Sequence, residues 1–404
     1  MTPTPHREFT WYMAGHGLYF FAMGVQNVLF AWLLAVHLHE SAERIGIAQM
    51  LLNLPTLCLV LFGGAVADRH DCRRLLMRLQ FVIALPPAVL LALDATDRLD
   101  FSSMCAYALA QGTLGAFLIP ARDSLLNRVG ASNLQRAVVT VMLVQFSAQL
   151  FGLSLGGTAG RVGAWPLLAA QVSAMLLAIV SSYHLNPAPP VPRESTTRHL
   201  ADIGDGLREA ARSPAIAPVV IYMFLMGIVT IGVYLVALPL LVRDVYSGGS
   251  AMLAGLNVSF MIGVALVSVL LMRFGPVRRQ GRAMLLAGIC SMSVVLTLRT
   301  APPEWAAYAC FFVWGMGAGV AMSMSRALVQ AAAPPAHRAR ILAVYQLGFM
   351  GGAPIGSFVN GYLAKLFGLL DAMLIPAAGT AVIVFGAMLL SSLWRLEPAT
   401  VPAE

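Results

Sequence analysis

The stretch Gly64-Ala65-Val66-Ala67-Asp68-Arg69-His70-Asp71-Cys72-Arg73-Arg74-Leu75-Leu76 separates two long apolar segments. The flanking segments, residues 45–66 and 75–93, each have about the length of an α-helix that crosses a bilayer, which needs ~20 mostly apolar residues. Short arginine-rich loops between such helices are typical of the cytoplasmic side of a membrane. The stretch therefore predicts two crossing helices joined by a cytoplasmic loop, and the rest of the chain repeats this pattern.

The composition excludes a water-soluble protein. Of the 404 residues 59% are hydrophobic and 11% are charged, whereas a soluble domain has roughly 25% charged residues. The five cysteines have no regular spacing, so we expect neither a disulfide framework nor a metal site, and no cofactor. The first apolar segment, residues 9–38, is too long for a signal peptide and is predicted to be a membrane span.

Reading between charge clusters and Pro or Gly breaks predicts twelve spans in an all-α integral membrane protein. Their predicted limits are 10–38, 45–66, 75–93, 101–126, 137–160, 163–185, 215–242, 250–273, 282–300, 304–330, 340–366 and 371–394. With the N-terminus inside, twenty of the 26 Lys and Arg residues fall on the cytoplasmic side and six on the other. This asymmetry predicts a multi-pass protein of the plasma (bacterial inner) membrane with both termini cytoplasmic. It explains the basic residues better than a nucleic-acid partner does.

An internal repeat predicts two six-helix halves. A shift of 204 residues aligns Arg69 with Arg273, Arg74 with Arg278, Gly115 with Gly319, Arg122 with Arg326, Arg136 with Arg340, Gly152 with Gly356 and Gly157 with Gly361. The long polar break lies near the midpoint, and its second part has apolar residues at helical spacing that predict an amphipathic helix. We therefore expect an N-terminal bundle at 1–185, a cytoplasmic linker at 186–213 and a C-terminal bundle at 214–404.

The loop at residues 64–76 resembles the signature loop of the major facilitator superfamily, G-x-L-A-D-R-x-G-R-R-x-x-L. The resemblance implies the fold of that family and a set of loop charges that lock one conformational state. The implied lock residues are Gly64, Asp68, Arg69, Arg73 and Arg74, with Asp123 in the fourth helix as the acidic partner of Arg73. Two positions depart from the pattern, since Asp71 replaces a glycine and Cys72 replaces the first of the paired arginines.

Two further stretches indicate a branch of this family. The form A-D-R-x-D-x-R-R and the end of helix four, residues 120–126, are similar to the exporter branch that includes enterobactin exporters. Lysophospholipid transporters of the same superfamily share a similar end to helix four. The resemblance thus favours efflux of a drug, siderophore or other metabolite, with a lipid carrier as the alternative.

Glycine-rich stretches in helices five and eleven are candidates for gating. Residues 152–160 partly resemble the antiporter motif G-x-x-x-G-P-x-x-G-G, and helix eleven has a matching pattern around a proline. Small residues four apart allow close helix contact, and a proline can kink a helix. The predicted gating residues are Gly152, Gly156, Gly157, Gly352, Pro354 and Gly356, and plain helix packing is the alternative.

Polar side chains within the spans, all uncharged except Arg326, are the candidates for a substrate cavity. The candidates are Gln26, Asn27, Asn53, Gln145, Gln149, Tyr234, Asn257, Arg326 and Gln346. Amides can hydrogen-bond a substrate, although hydrogen bonds between helices are the competing interpretation. Arg122 and Arg326 are symmetry mates that can attract an anion or mark the membrane edge. His16 is the titratable group placed within a span and is the candidate for proton coupling.

The sequence as a whole predicts a secondary transporter and not an enzyme. No cluster of catalytic side chains lies at membrane depth, and the chain lacks the phosphate-binding motif of ATP-driven pumps. We expect efflux of an amphipathic or lipophilic small molecule by alternating access, with a lysophospholipid flippase or a nutrient importer as the alternative. The expected partners are the substrate, the lipid bilayer and protons as the coupling ion, and the protein is expected to be monomeric.

Overall fold

Twelve helices that are long and apolar enough to cross a membrane are found in the part of the chain that the computed structural model describes, residues 5–129, 134–187, 207–274, 277–334 and 338–395. This confirms the predicted all-α fold. The helices are α1 Pro5–Trp32, α2 Ala42–Arg69, α3 Cys72–Asp94, α4 Phe101–Val129, α5 Leu134–Gly156, α6 Trp165–Tyr183, α7 Ile216–Val245, α8 Ser250–Phe274, α9 Gln280–Arg299, α10 Glu304–Ala332, α11 Arg338–Phe367 and α12 Leu374–Leu390.

Several helices are interrupted or extended by short turns of other types. A π-helical turn, Leu33–His37, continues α1, and two more, Gly227–Ile231 and Leu241–Val245, lie within α7. Short helices precede α6 at Ala159–Val162 and α12 at Leu369–Ala372. Such π-turns are rare and occur often at functional sites, and the apolar pattern of the sequence did not predict them.

Polar side chains fix the starts of several helices. Asp100 precedes α4, and its carboxylate accepts a hydrogen bond from the backbone N–H of Ser103 at 2.9 Å. The Ser103 hydroxyl in turn accepts from the backbone N–H of Asp100 at 3.1 Å. The two residues satisfy each other's free groups as a capping box does. The hydrogen bonds from Ser103 also lower the pKa of Asp100 below its usual value.

The chain divides into two compact units. The first comprises residues 1–194 with 247–255, and the second comprises residues 195–246 with 256–404. In the first unit α1 packs against α5 and α6, α2 against α4, and α3 against α4 and α6. In the second unit α7 packs against α11, and α9 packs against α10 and α12. The pairs α1–α5 and α7–α11 are therefore equivalent, as the internal repeat requires.

Glycines bring the equivalent helix pairs into backbone contact. In the first unit a Cβ atom at Gly152 of α5 would collide with the carbonyl oxygen of Phe21 in α1. In the second unit a Cβ atom at Gly356 of α11 would collide with the carbonyl oxygen of Ile228 in α7. Gly152 and Gly356 are 204 residues apart, so the repeat preserves this close crossing. Helix association in lipid depends on such packing of small residues.

Large apolar side chains cover the outside of each unit. Phe151 is 71% exposed and Leu390 is 90% exposed, which suits contact with lipid rather than water. The predicted amphipathic linker helix lies mostly outside the described residues, because residues 188–206 are not described. Residues 207–212, at its end, are helical.

We expect Gly152→Ala to destabilise the protein by about 3 kcal/mol, because the added methyl group would push α5 away from α1. Gly386→Ala is the matched control, since a Cβ atom at Gly386 of α12 would meet nothing within 4 Å, and alanine favours a helix by ~0.5–1 kcal/mol over glycine. The apparent Tm of the detergent-purified protein is the measurement. Equal Tm values for the two variants would contradict the close crossing.

Candidate functional site

The loop between α2 and α3 is closed by the two residues that depart from the family pattern. Asp71 caps α3, because its Oδ1 accepts hydrogen bonds from the backbone N–H groups of Arg73 at 2.9 Å and of Arg74 at 3.4 Å. The thiol of Cys72 is buried and donates to the carbonyl of Ala67 at 3.3 Å. A carboxylate at a helix N-terminus satisfies free N–H groups and suits the helix dipole. Asp71 therefore forms the turn before α3 at the position where the family pattern has a glycine.

The predicted lock residues form no ion pair with one another among the side chains that the structure describes. Arg69 and Arg74 are exposed, and the side chain of Asp68 lies outside the described residues. A Cβ atom at Gly64 would meet nothing within 4 Å, whereas one at the neighbouring Gly63 would collide with the carbonyl of Ala116 in α4. The close approach of α2 to α4 therefore occurs at Gly63 and not at Gly64.

Arg73 contacts the end of α6 and not Asp123. Its Nη2 donates to the carbonyl oxygen of Tyr183 at 2.5 Å, and its guanidinium carbon lies 5.4 Å from the centre of the Tyr183 ring. Among the described side chains there is no ion pair between Arg73 and Asp123, so the expected pairing is not formed in this structure. The reason is physical, because the last carbonyl groups of a helix are free acceptors at the negative end of its dipole.

A second cluster of charges, which the sequence analysis missed, joins α1, α4 and the chain after α6. The Glu8 carboxylate accepts hydrogen bonds from Arg128 at 2.7 Å and from the backbone and side chain of Asn186 at 3.0 and 2.9 Å. Arg128 also donates to the carbonyl groups of Asn186 and Pro187 at 3.0 and 2.7 Å. This cluster ties Asn186, the first residue of the predicted linker, to the N-terminal end of α1 and the C-terminal end of α4.

A buried arginine lies among aromatic side chains in the first unit. Arg122 of α4 is 6% exposed, and its guanidinium carbon lies 4.4 Å from the ring centre of Tyr19 and 4.7 Å from that of Phe20, both in α1. His16 lies on the same face of α1, with its ring centre 4.8 Å from that of Phe20, and Gln145 of α5 approaches it. Arg326, the symmetry mate of Arg122, is exposed.

Gln26, a candidate for the substrate cavity, is part of a buried hydrogen-bond network. It is 2% exposed, and its Oε1 accepts a hydrogen bond from Nε2 of Gln171 in α6 at 3.2 Å. The same amide group of Gln171 donates to the hydroxyl of Tyr107 in α4 at 3.0 Å. Gln26 therefore joins three helices inside the first unit, which is the packing role that the sequence analysis gave as the alternative. The next residue, Asn27, is exposed.

The remaining cavity candidates fall into two groups. Gln346 of α11 is exposed, like Asn27. Four amides are half-buried: Asn53, Gln145, Gln149 and Asn257. Asn53 donates to the carbonyl of Gln49 one turn earlier, at 2.8 Å, a contact within its own helix.

Tyr234 and Asn257, both predicted cavity residues, form one group in the second unit. The Tyr234 hydroxyl donates to Oδ1 of Asn257 at 2.6 Å. The Tyr234 ring centre lies 4.9, 6.1 and 5.8 Å from those of Phe260, Phe311 and Trp314. Three aromatic rings from α8 and α10 thus surround the Tyr234 ring, and such ring pairs are stabilising and directional.

The predicted gating residues lie at helix crossings within their own units. A Cβ atom at Gly152 or Gly156 would meet α1, and one at Gly352 or Gly356 would meet α7. The contact of Gly352 and Gly356 falls on Phe224, Gly227 and Ile228, at the start of the π-turn Gly227–Ile231. Pro354 lies between them in α11. Gly157 follows α5 and would contact Ala254 of α8.

A comparison with protein families decides the identity. The model of the Major Facilitator Superfamily matches residues 12–357. The chain belongs to the Major Facilitator Superfamily. It is therefore a multi-pass membrane transporter, as the signature loop and the two repeats indicated.

Solved structures share the fold of this transporter at low sequence identity. The nucleoside transporter NupG has a TM-score of 0.76 and 13% identity, over 96% of this chain and 99% of that one. A bacterial homologue of the human lysosomal transporter Spinster, inward-facing and unoccupied, has a TM-score of 0.77 and 13% identity over 100% of both chains. A POT family transporter in complex with 5-aminolevulinic acid has a TM-score of 0.72 and 13% identity, over 95% and 96%. No curated protein matches the chain in sequence.

We expect Asp71→Ala to lower the stability of the transporter by about 1 kcal/mol, because it removes the cap of α3. Asp71→Asn should keep the stability, since asparagine caps a helix about as well as aspartate. The measurement is the apparent Tm of both variants beside the parent protein. An equal loss in both variants would show that the charge of Asp71 matters and that its capping hydrogen bonds do not.

Proposed function

We propose that this transporter is a secondary active exporter of amphipathic or lipophilic small molecules, such as a drug, a siderophore or another metabolite, and that it works by alternating access. One observation carries the proposal. Among the described residues, none of the buried side chains is an aspartate or a glutamate, and Arg122 is the buried charge. The other buried polar groups are amides, hydroxyls and one imidazole.

This inventory favours neutral or anionic substrates over cations. A cation that leaves water for the membrane interior needs an opposite charge, because desolvation costs several kcal/mol per ion. The exposed polar groups of the spans include the amides of Asn27 and Gln346 and the guanidinium of Arg326, which suit hydrogen-bond acceptors and anions. The alternative function, a lysophospholipid flippase or a nutrient importer, shares this preference in part, since lysophospholipids carry an anionic phosphate.

The aromatic cluster of the second unit supports an amphipathic substrate. Phe311 and Trp314 are buried, whereas Tyr234 and Phe260 are half-buried and form the part of the cluster that would meet a substrate. Aromatic side chains bury much area and keep a polar edge. Ligand sites of this kind are mostly apolar with few polar groups that fix orientation.

An ion gradient is the proposed energy source, with protons as the coupling ion. His16 is the proposed coupling group, because an ionisable side chain inside a membrane span is costly and marks ion pathways, and this one is 5% exposed in α1. The excess of basic residues in the loops of one side supports a plasma (bacterial inner) membrane location with both termini cytoplasmic. We propose a monomer as the working unit, because each half of the fold has its own core.

Export can be tested in cells with two lipophilic fluorescent dyes of similar size, one anionic and one cationic. We expect lower accumulation of the anionic dye in cells that make the transporter, because the polar groups of the spans suit anions. A protonophore should abolish the difference. The accumulation of each dye, with and without the transporter and with and without the protonophore, is the measurement.

Three results of the dye experiment would speak against the proposal. Higher accumulation in producing cells would indicate an importer. Extrusion of the cationic dye alone would contradict the charge argument. If neither dye responds while labelled lysophospholipid is taken up by spheroplasts only when the transporter is present, the flippase alternative is favoured.

Neighbouring amides of α1 give a sharper test of the substrate surface. We expect Asn27→Ala to raise the apparent KM for the transported dye several-fold, because Asn27 is exposed on a membrane span. Gln26→Ala should leave KM unchanged and lower the Tm, because Gln26 is buried against Gln171. Initial rates over a range of dye concentrations give KM for both variants. The opposite pattern, with KM changed only in Gln26→Ala, would overturn this assignment.

A further inference from the structure

One side of α3 has two arginines followed by a row of large apolar side chains. Arg74, Arg78, Phe81, Leu85 and Val89 are all exposed, and they follow one another at spacings of four, three, four and four residues. In an α-helix such spacings keep the side chains on one face. The buried side chains of α3 lie on the opposite side, where the helix packs against α4 and α6. The five exposed residues therefore form an outer face of α3 on the outside of the first unit.

The two arginines of the outer face have little charge compensation within the described chain. The side chain of Arg74 is 76% exposed, and its Nε lies 3.9 Å from the carboxylate of Asp71. An ion pair of so exposed a side chain contributes little. Arg78 is exposed as well, and it forms no ion pair with any of the described side chains. Since Asp71 caps the N-terminus of α3, the arginines and not the helix end are the groups available to a ligand.

The length of α3 places Arg78 at the edge of the hydrocarbon core. From Arg78 to Asp94, where α3 ends, the helix rises ~24 Å, which is less than the ~30 Å thickness of the core. A charge at this depth is costly unless it is paired. A long arginine side chain can lay its stem along apolar groups and extend its guanidinium to the polar headgroups. The guanidinium of Arg78 therefore reaches the layer that contains the lipid phosphates.

The equivalent arginine of the second unit has a partner within the chain. Arg282 of α9 lies 204 residues after Arg78. Its Nε donates to the carbonyl of Trp394 at 3.1 Å, and its guanidinium carbon lies 4.8 Å from the centre of the Trp394 ring. Arg282 thus joins the end of the described chain to α9. Arg78 has no such role among the described residues and stays open to the lipid around the first unit.

We propose that the outer face of α3 binds one anionic phospholipid, such as phosphatidylglycerol. Its phosphate lies between the guanidinium groups of Arg74 and Arg78, and its acyl chains lie along Phe81, Leu85 and Val89. The helix rises ~6 Å between the two arginines, so both guanidinium groups can reach one phosphate, whose oxygens suit the donor geometry of arginine.

The two parts of the outer face select this ligand together. The apolar row continues directly from the arginines, which favours a lipid over a free phosphate. A zwitterionic phospholipid has a cation beside its phosphate, so two arginines favour a lipid with net negative charge. Because the outer face is directed away from α4 and α6, the bound lipid would hold the start of α3 at the membrane surface whatever the transported substrate is.

Lipid titration of the purified transporter in an uncharged detergent tests the proposal. Phosphatidylglycerol should raise the apparent Tm in a saturable manner, because a ligand that binds only the folded state stabilises it. Phosphatidylcholine with the same acyl chains should not, and neither should glycerol 3-phosphate, which has the anionic headgroup without acyl chains. Native mass spectrometry should show phosphatidylglycerol retained on the protein. Equal Tm responses to the two lipids, or a full response to glycerol 3-phosphate, would overturn the proposal.

Two double variants of equal net charge separate this site from a general attraction of anionic lipid to a basic protein. Arg74→Gln combined with Arg78→Gln should weaken phosphatidylglycerol binding about 25-fold, which is about fivefold for each arginine. Arg273→Gln combined with Arg278→Gln, at exposed arginines of the second unit, should keep the affinity of the parent protein. An equal loss of affinity in both double variants would contradict a site on α3.

Single variants of Arg78 decide the matter if the first double variant does not fold. Arg78→Gln should bind phosphatidylglycerol about fivefold more weakly than the parent protein. Arg78→Lys should bind more tightly than Arg78→Gln, because it keeps the positive charge. Unchanged affinity in Arg78→Gln would overturn the proposal.

Discussion

Lipid offers no hydrogen-bond partner, so each polar group that enters the bilayer has to find its partner within the chain. The helices satisfy the backbone, and small residues such as Gly152 and Gly356 let the helices meet closely enough to hold together. Buried amides follow the same constraint, as the hydrogen bonds of Gln171 to Gln26 and Tyr107 show. Arg122 differs from these amides. Aromatic rings pack against the faces of its guanidinium, but its Nε and Nη1 groups have no hydrogen-bond partner among the described protein atoms.

The spans were predictable from the sequence because the bilayer sets their length. A run of about 20 apolar residues between charged residues or helix-breaking Pro and Gly residues is stable in lipid as a helix, because a helix satisfies its own backbone hydrogen bonds. The internal repeat was also readable, since Gly152 and Gly356 perform the same packing task at equivalent crossings. The π-turn Gly227–Ile231 was not predictable, because it changes the hydrogen-bond register without changing the apolar composition of α7.

The sequence does not show which side chains of a span point into the bundle and which point outward, and the physical reason is specific to membranes. In a soluble helix the polar stripe marks the outer face, whereas both the lipid face and the packed face of a membrane helix are apolar. Gln26 and Asn27 are adjacent and chemically alike, yet one is buried in a network and the other is exposed. Gly63 and Gly64 show the same ambiguity, since only Gly63 lies at a crossing.

The two repeats differ at equivalent positions that have different types of side chain. Arg122 is caged by Tyr19 and Phe20, while the positions 204 residues later are Met223 and Phe224, and Arg326 there is exposed. The aromatic pair Phe30 and Tyr107 recurs as Tyr234 and Phe311, with ring centres 5.8 and 6.1 Å apart. The hydroxyl of the pair belongs to Tyr107 of α4 in the first unit and to Tyr234 of α7 in the second. It therefore bonds Gln171 of α6 in one unit and Asn257 of α8 in the other. The duplicated backbone thus determines where a polar group enters each bundle, and substitutions on the facing helix determine whether it remains buried and which partner it binds.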